Sequence, residues 1–271
     1  MTRLLGCDFS SSPSARKSIV LAWGAWRDKR LVLESLQSCV SLDEFEQALH
    51  TPGPWVGGFD LPFGLPRELV VALNWPLAWT ACIQHYASLS REQIRDTFKA
   101  FCDRRPVGSK FAHRSTDMPA GSSPSMKWVN PPVAYMLHAG VPRMLQAGLD
   151  FPGLHPGDDQ RVALEAYPGW LARQLVGSRS YKSDDKTKQT PERLIARKDI
   201  LQALVSGQVG VTLYLRPAQH DALVADASGD KLDAVLCMVQ AAIAQQRHEA
   251  GHKPYGLPAD MDALEGWIIG V

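Results

Sequence analysis

Asp8 and Asp60 each stand at the downstream end of a short apolar run, residues 3–9 and 55–61, that reads as a β-strand. An ionised carboxylate there is costly unless it is solvated, paired or bound to a metal. Turn capping is the ordinary use of aspartate at such a junction. A meander and one crossover helix between the two runs, however, allow their strands to lie parallel and adjacent, with both carboxylates at one edge of the sheet. Asp230 and Asp233, three residues apart near the start of a long apolar helix over 228–249, share a helix face. Asp230 suits the positive end of the helix dipole. Asp233 heads Ala234, Val235, Leu236, Cys237, Met238 and Val239, apolar on every face, and a charge packed there needs a partner. Glu165, flanked by Ala163, Leu164 and Ala166 in a strand over 161–167, is open to either an Arg or Lys partner or metal contact. If Asp8, Asp60, Asp233 and one of Asp230 or Glu165 converge, they form an all-oxygen site for Mg²⁺ or Mn²⁺, not for zinc. Two such ions roughly 4 Å apart can activate water and stabilise the leaving oxygen of a phosphodiester.

The elements that must position these side chains follow from the chain's punctuation. Residues 17–26 and 30–37 are β-rich runs around a polar turn at Asp28, which with the first strand predicts a three-stranded antiparallel meander. Ser41, with Glu44 three residues on and Leu42, Phe45 and Leu49 at helical spacing, opens a short amphipathic helix that Pro52 and Pro54 stop. Pro62, Gly64 and Pro66 end the Asp60 strand before a helix from Arg67. Pro168 ends the Glu165 strand; helices follow from Gly169 and from Thr190 to near Gly207, and the tail 264–271 fits a last strand. The pattern predicts one α/β domain over 1–271, a mixed sheet of an antiparallel three-strand meander plus parallel strands, flanked by helices. Residues from about 76 to 159 read as an inserted helical and loop segment with one helix at 90–102. Its stretch 91–127 holds eight Lys or Arg against four acids, a local excess of about +4.

Bulk composition narrows the classes. The chain has 271 residues, 45% apolar and 21% charged, enough to bury a sizeable core, and its net charge of +1 lacks the basic excess of a general nucleic-acid binder. No apolar run approaches the roughly 18 residues of a membrane helix, and the start is too short and too acidic for a secretory signal, so a cytoplasmic, membrane-free location is the default expectation. Five cysteines, odd in number and without a CxxC pair, read as reduced, mostly buried thiols.

Four segments together resemble a known family: GCDFSSS at 6–12, GGFDLPFGLP at 57–66, LEAYP at 164–168 and GDKLDAVLCMVQAA at 229–242. Their order resembles the DUF429 family of predicted ribonuclease H-like nucleases, and the likeness extends to HRSTD at 113–117, the NPP turn at 130–132 and the pattern Lys186, Thr187, Arg193. The last helix is also similar to the DxxDA pattern of RuvC-type junction resolvases, onto which Asp230 and Asp233 map. Asp8 then takes the first-strand aspartate role. Asp60 stands where resolvases carry a glutamate, one methylene longer. The resemblance implies a ribonuclease H-like fold, a carboxylate-bound Mg²⁺ or Mn²⁺ pair, nuclease activity on DNA or RNA, and, by the pairing habit of resolvases, room for a homodimer. Lys110, Arg114, Lys182, Lys186 and Arg193 are then candidates for phosphate contacts, against the ordinary reading of each as a solvated surface cation.

Competing readings have weaker footing. His248, Glu249 and His252 spell HExxH, but Gly251 and Pro254 end the helix that a zinc-protease motif requires. A phosphotransferase or nucleotide hydrolase on the same superfold needs phosphate-cradling glycine loops that the chain lacks. A binding module without catalysis would not need acidic residues at each candidate position.

Overall fold

The computed structural model describes residues 2–271. It is an α/β structure with a seven-stranded mixed sheet between helices. The elements run β1 (Arg3–Asp8), β2 (Ile19–Arg27), β3 (Arg30–Cys39), α1 (Leu42–Leu49), β4 (Trp55–Asp60), α2 (Arg67–Ala72), α3 (Trp79–Ala87), α4 (Arg91–Asp103), α5 (Asp117–Ala120) and α6 (Val133–Gln146). They continue with β5 (Leu149–Asp150), β6 (Asp158–Glu165), α7 (Pro168–Val176), α8 (Pro191–Val205), β7 (Leu213–Tyr214), α9 (Pro217–Ala225) and α10 (Asp230–Glu249). Strand order is β5-β6-β4-β1-β2-β3-β7. β1, β2 and β3 form the expected antiparallel meander, and β4 lies parallel to both β1 and β6. Asp28 and Lys29 both take positive φ at the β2–β3 turn, the conformation whose twist suits a two-residue hairpin.

The pleat divides the sheet's side chains into two cores. Leu5, Cys7, Trp55 and Phe59 point to one face and pack with Phe45 of α1, Tyr86 of α3, Phe98 of α4 and Leu137 of α6. Leu4, Val56, Val162 and Leu164 point to the other, against α7, α8 and α10. The helix expected from Arg67 is α2, and the segment 76–159, expected to hold one helix at 90–102 and much loop, contributes helices α3 to α6 and much of one core. Its α6 escaped the sequence pattern because Gly140 and Pro142 interrupt it, although the helix runs through both. The tail is not a strand: Ile268 makes only an isolated bridge to Glu165, with Ile269 N–H donating to the Glu165 carbonyl at 2.9 Å. All five cysteines are free and buried. Among the described residues, no helix is long and apolar enough to cross a membrane.

Two glycines set how closely α10 lies on the sheet. Gly6 and Gly58 are cross-strand partners on β1 and β4, on the α10 face. A Cβ on Gly6 would lie 1.9 Å from the Ala234 carbonyl oxygen, and one on Gly58 would lie 2.4 Å from that of Cys237. Backbone thus meets backbone here. Asp8 and Asp60 sit two residues further along each strand, on the same face and again in register, directly beside the first turn of the helix.

Candidate metal centre

One carboxylate oxygen from each of Asp8, Asp60 and Asp233 lies within 4.8 Å of the other two. The strand ends supply the first two and the first turn of α10 the third. Asp8 is 8% exposed and Asp233 fully buried. Burial holds the carboxyls of Asp8 and Asp233 above the usual range; the Asp233 charge adds to the rise at Asp8, while Lys182 pulls both back. Asp60 is pushed up to about 7, first by burial and then by Asp233, again against Lys182.

Among the described residues, Asp233 alone of the three has hydrogen-bond partners. Its two oxygens accept from the Tyr181 hydroxyl and from the Lys182 ammonium. Burial by itself would pull that ammonium down, but Asp233, and then Asp8 and Asp60, hold it well above its usual value. Among the described residues, no hydrogen bond from the chain supports the Asp8 or Asp60 carboxylate. Three desolvated acids with two left unsupported form a hard, all-oxygen donor set that fits a divalent cation such as Mg²⁺ or Mn²⁺. Local packing puts Lys182 there: Gly229, the residue before α10, would carry a Cβ 2.7 Å from the Lys182 Cβ. Arg197 of α8 fixes the preceding residue, donating at 2.7 Å to the Tyr181 carbonyl and at 2.9 Å to that of Val224.

The other residues singled out from sequence are placed elsewhere. Asp230 accepts from Lys17 at 2.7 Å, and Lys17 also donates to Asp184 at 2.9 Å, so Asp230 is held beside the cluster by an ion pair. Glu165 pairs in register with Phe59, which puts it on the sheet face opposite Asp8 and Asp60. It accepts from Arg114 at 2.6 and 2.8 Å and from the Phe63 N–H at 2.9 Å. Arg114, expected from sequence to reach phosphate, is 3% exposed, and its guanidinium is taken up by Glu165, Asp117 and the Glu265 carbonyl. Lys110 lies in the loop after α4, Lys186 is exposed in a 3-10 turn (Lys186–Lys188), and Arg193 in α8 donates to the Lys188 carbonyl. Sequence reading passed over Tyr181, Lys17 and Arg197. Nothing in their spacing marks them; only the fold brings them to the acids. The HExxH spelling is split by the end of α10 at Glu249, where the His248 ring stacks on Tyr255 at 4.2 Å.

Two measurable consequences follow from these charges. Arg114→Met should cost about 3–5 kcal/mol in urea unfolding, because Asp117 and Glu165 are left charged and buried without their partner. A second change, Glu165→Gln, should recover part of that loss; a cost below about 1 kcal/mol for the single variant would contradict the buried pairing. For Asp60 the folded-state value of about 7 lies above the ordinary 3.8, so the folded state holds its proton more tightly than the unfolded state. Its contribution is therefore complete below about pH 4 and is lost as pH rises through 7, at about 1.4 kcal/mol for each unit of separation. Chelator-treated protein should melt several degrees lower at pH 8 than at pH 5. Asp60→Asn should flatten that slope, and an unchanged slope in the variant would rule out the assignment.

Comparison of the chain with family models, with curated proteins and with solved structures found no match.

Proposed function

We propose that the chain is a divalent-metal-dependent phosphodiester hydrolase acting on nucleic acid, built as one ribonuclease H-like unit with residues 76–159 inserted. The observation that carries this reading is the meeting of Asp8, Asp60 and Asp233 from three distant parts of the chain within 4.8 Å. Support comes also from the likeness of the segments around them to DUF429 proteins and RuvC-type resolvases, and from the strand ends at which parallel α/β sheets place their sites. Asp8, Asp60 and Asp233 hold the cation, with Asp230 available when Lys17 releases it. A divalent ion on such a set supplies Lewis acidity toward a phosphoryl oxygen. Tyr181 keeps the Asp233 carboxylate turned toward Asp8 and Asp60. Lys182 neutralises Asp233 in the metal-free protein, and with a divalent ion held by the three acids its ammonium would be free to contact a substrate phosphate.

The test is incubation of the purified protein with DNA and RNA of several structures, with Mn²⁺ and with chelator. Cleavage that requires Mn²⁺ and is lost in Asp8→Asn supports the reading. No cleavage of any nucleic acid, or equal cleavage by the Asp8→Asn protein, ends it.

The same reading fixes a sign for Lys182. Its side chain keeps 41% exposure, so it can leave Asp233 without dismantling a core. Lys182→Met should bind Mn²⁺ more tightly by calorimetry, by about tenfold or more, since no ammonium competes for Asp233. Its cleavage rate should nevertheless fall, because the phosphate contact is gone. Unchanged or weaker Mn²⁺ binding would show that Lys182 does not compete with the ion.

A further inference from the structure

Asp60, Lys182 and Tyr167 are shared between the walls of two cavities whose chemistry differs. One cavity, about 330 Å³, is walled by Leu61, Pro131, Val133, Met136 and Ile268, with Ser122 and Ser123 among its neutral polar residues; the Ser122 hydroxyl donates to Asp117 at 3.2 Å and keeps its acceptor capacity. Besides Asp60 and Lys182, its charged lining residues are Arg114 and Glu165, which are tied up with Asp117 in one buried ion network. The other cavity, about 360 Å³, is lined by Arg173, Arg179 and Lys182 beside the carboxylate of Asp60; Lys182 is paired with Asp233, and Arg179 with Asp199 in an exposed ion pair at 2.6 Å that a phosphate can replace. A largely apolar recess and one lined by three cations therefore share one metal-ligand candidate.

We propose that the strand acted on at this centre carries an unpaired base: the base enters the neutral cavity while the adjoining sugar-phosphate chain runs along the cationic one. The proposal rests on the nuclease reading and narrows its substrate to single-stranded nucleic acid or an unpaired end. A nucleobase is flat and uncharged, with apolar faces and a hydrogen-bonding edge, and the recess offers that pattern in its aliphatic walls and the serine pair Ser122 and Ser123. Its volume is at the small end of ligand pockets, room for one nucleoside and not for a base pair. The Tyr167 ring lies at the boundary, with the Arg173 guanidinium 5.4 Å from its centroid, and so presents a stacking surface backed by a cation. A nuclease that handled duplex through its phosphates alone would have no use for the neutral recess.

The experiment compares cleavage of a fluorescent oligonucleotide, single-stranded and fully paired, by the intact chain with Mn²⁺. The single strand should be cut about tenfold faster or more. Met136→Trp, which fills the recess, should remove that advantage while calorimetric Mn²⁺ affinity stays unchanged. Should Met136→Trp fail to fold, Val133→Phe fills the same space from the next turn of α6. Equal rates on the two substrates, or a filled recess that leaves the single-strand rate intact, would overturn the inference and leave the nuclease reading standing. A protein that binds Mn²⁺ but cuts neither substrate would take both down.

Discussion

Asp8→Asn is expected to lose the nucleic-acid cleavage proposed above by at least about a hundredfold and yet to leave the metal-free protein more stable than the parent. The two effects have one cause. Asp8 is buried beside Asp60 and Asp233, without a hydrogen bond to its carboxylate among the described residues, and its carboxyl sits well above the usual range because burial and then Asp233 disfavour the charge. An amide of nearly the same shape removes that repulsion, which at neutral pH should return on the order of 1–3 kcal/mol in the presence of chelator. The gain should shrink as pH falls through the raised Asp8 value, since the carboxyl then takes up a proton and the repulsion is removed in the parent as well. Addition of Mn²⁺ should reverse the order, raising the melting temperature of the parent and leaving that of the variant in place. A variant that is destabilised in chelator, or that binds Mn²⁺ as the parent does, would show that Asp8 is a structural cap and not a ligand.

Gly6→Ala should be among the most damaging single changes in the chain although it adds one methyl group. The added Cβ would lie 1.9 Å from the Ala234 carbonyl oxygen and 2.3 Å from the Met238 nitrogen, both backbone atoms of a helix that cannot give way locally. Relief requires α10 to lift from β1, which opens the core beneath Leu4 and Val56 and withdraws Asp233 from Asp8 and Asp60. A loss of several kcal/mol is expected, read as a melting temperature lower by about 10 °C or more, or as insoluble protein. Gly108→Ala provides the comparison. Its added Cβ meets nothing within 4 Å, and only the positive φ of 92° opposes it, a strain of about 1–2 kcal/mol. Similar losses at the two positions would mean that α10 does not depend on the Gly6 contact.

The two changes separate site from scaffold. At Asp8 charge is removed and the backbone keeps its course, so the proposed chemistry should fail while the fold gains. At Gly6 nothing chemical is lost, yet the helix carrying the third acid cannot reach its seat. The position of Asp233 thus depends on two glycines that touch no cation.

Much of this arrangement was legible from residue types. Apolar runs ending in Asp8 and Asp60, a β-rich pair around Asp28 and one short helix before Trp55 were enough to predict the meander and two parallel strands, because alternation and turn chemistry act over a few residues. Asp233 stood out because an acid heading six apolar residues has no local way to stay solvated. Glu165 shows where that reasoning stops. Its neighbours are as apolar as those of Asp60, but the pairing of Phe59 with Glu165 sends it to the opposite face, and strand parity across a crossover is set by packing. Arg114 then captures it from a loop fifty-one residues earlier in the chain. The helix α6, broken on paper by Gly140 and Pro142, forms because its apolar side closes a core that the sheet leaves open. The sequence determined which side chains could do chemistry; tertiary structure decided which of them meet, because burial, register and ion pairing join residues whose separation along the chain carries no information about their distance in space.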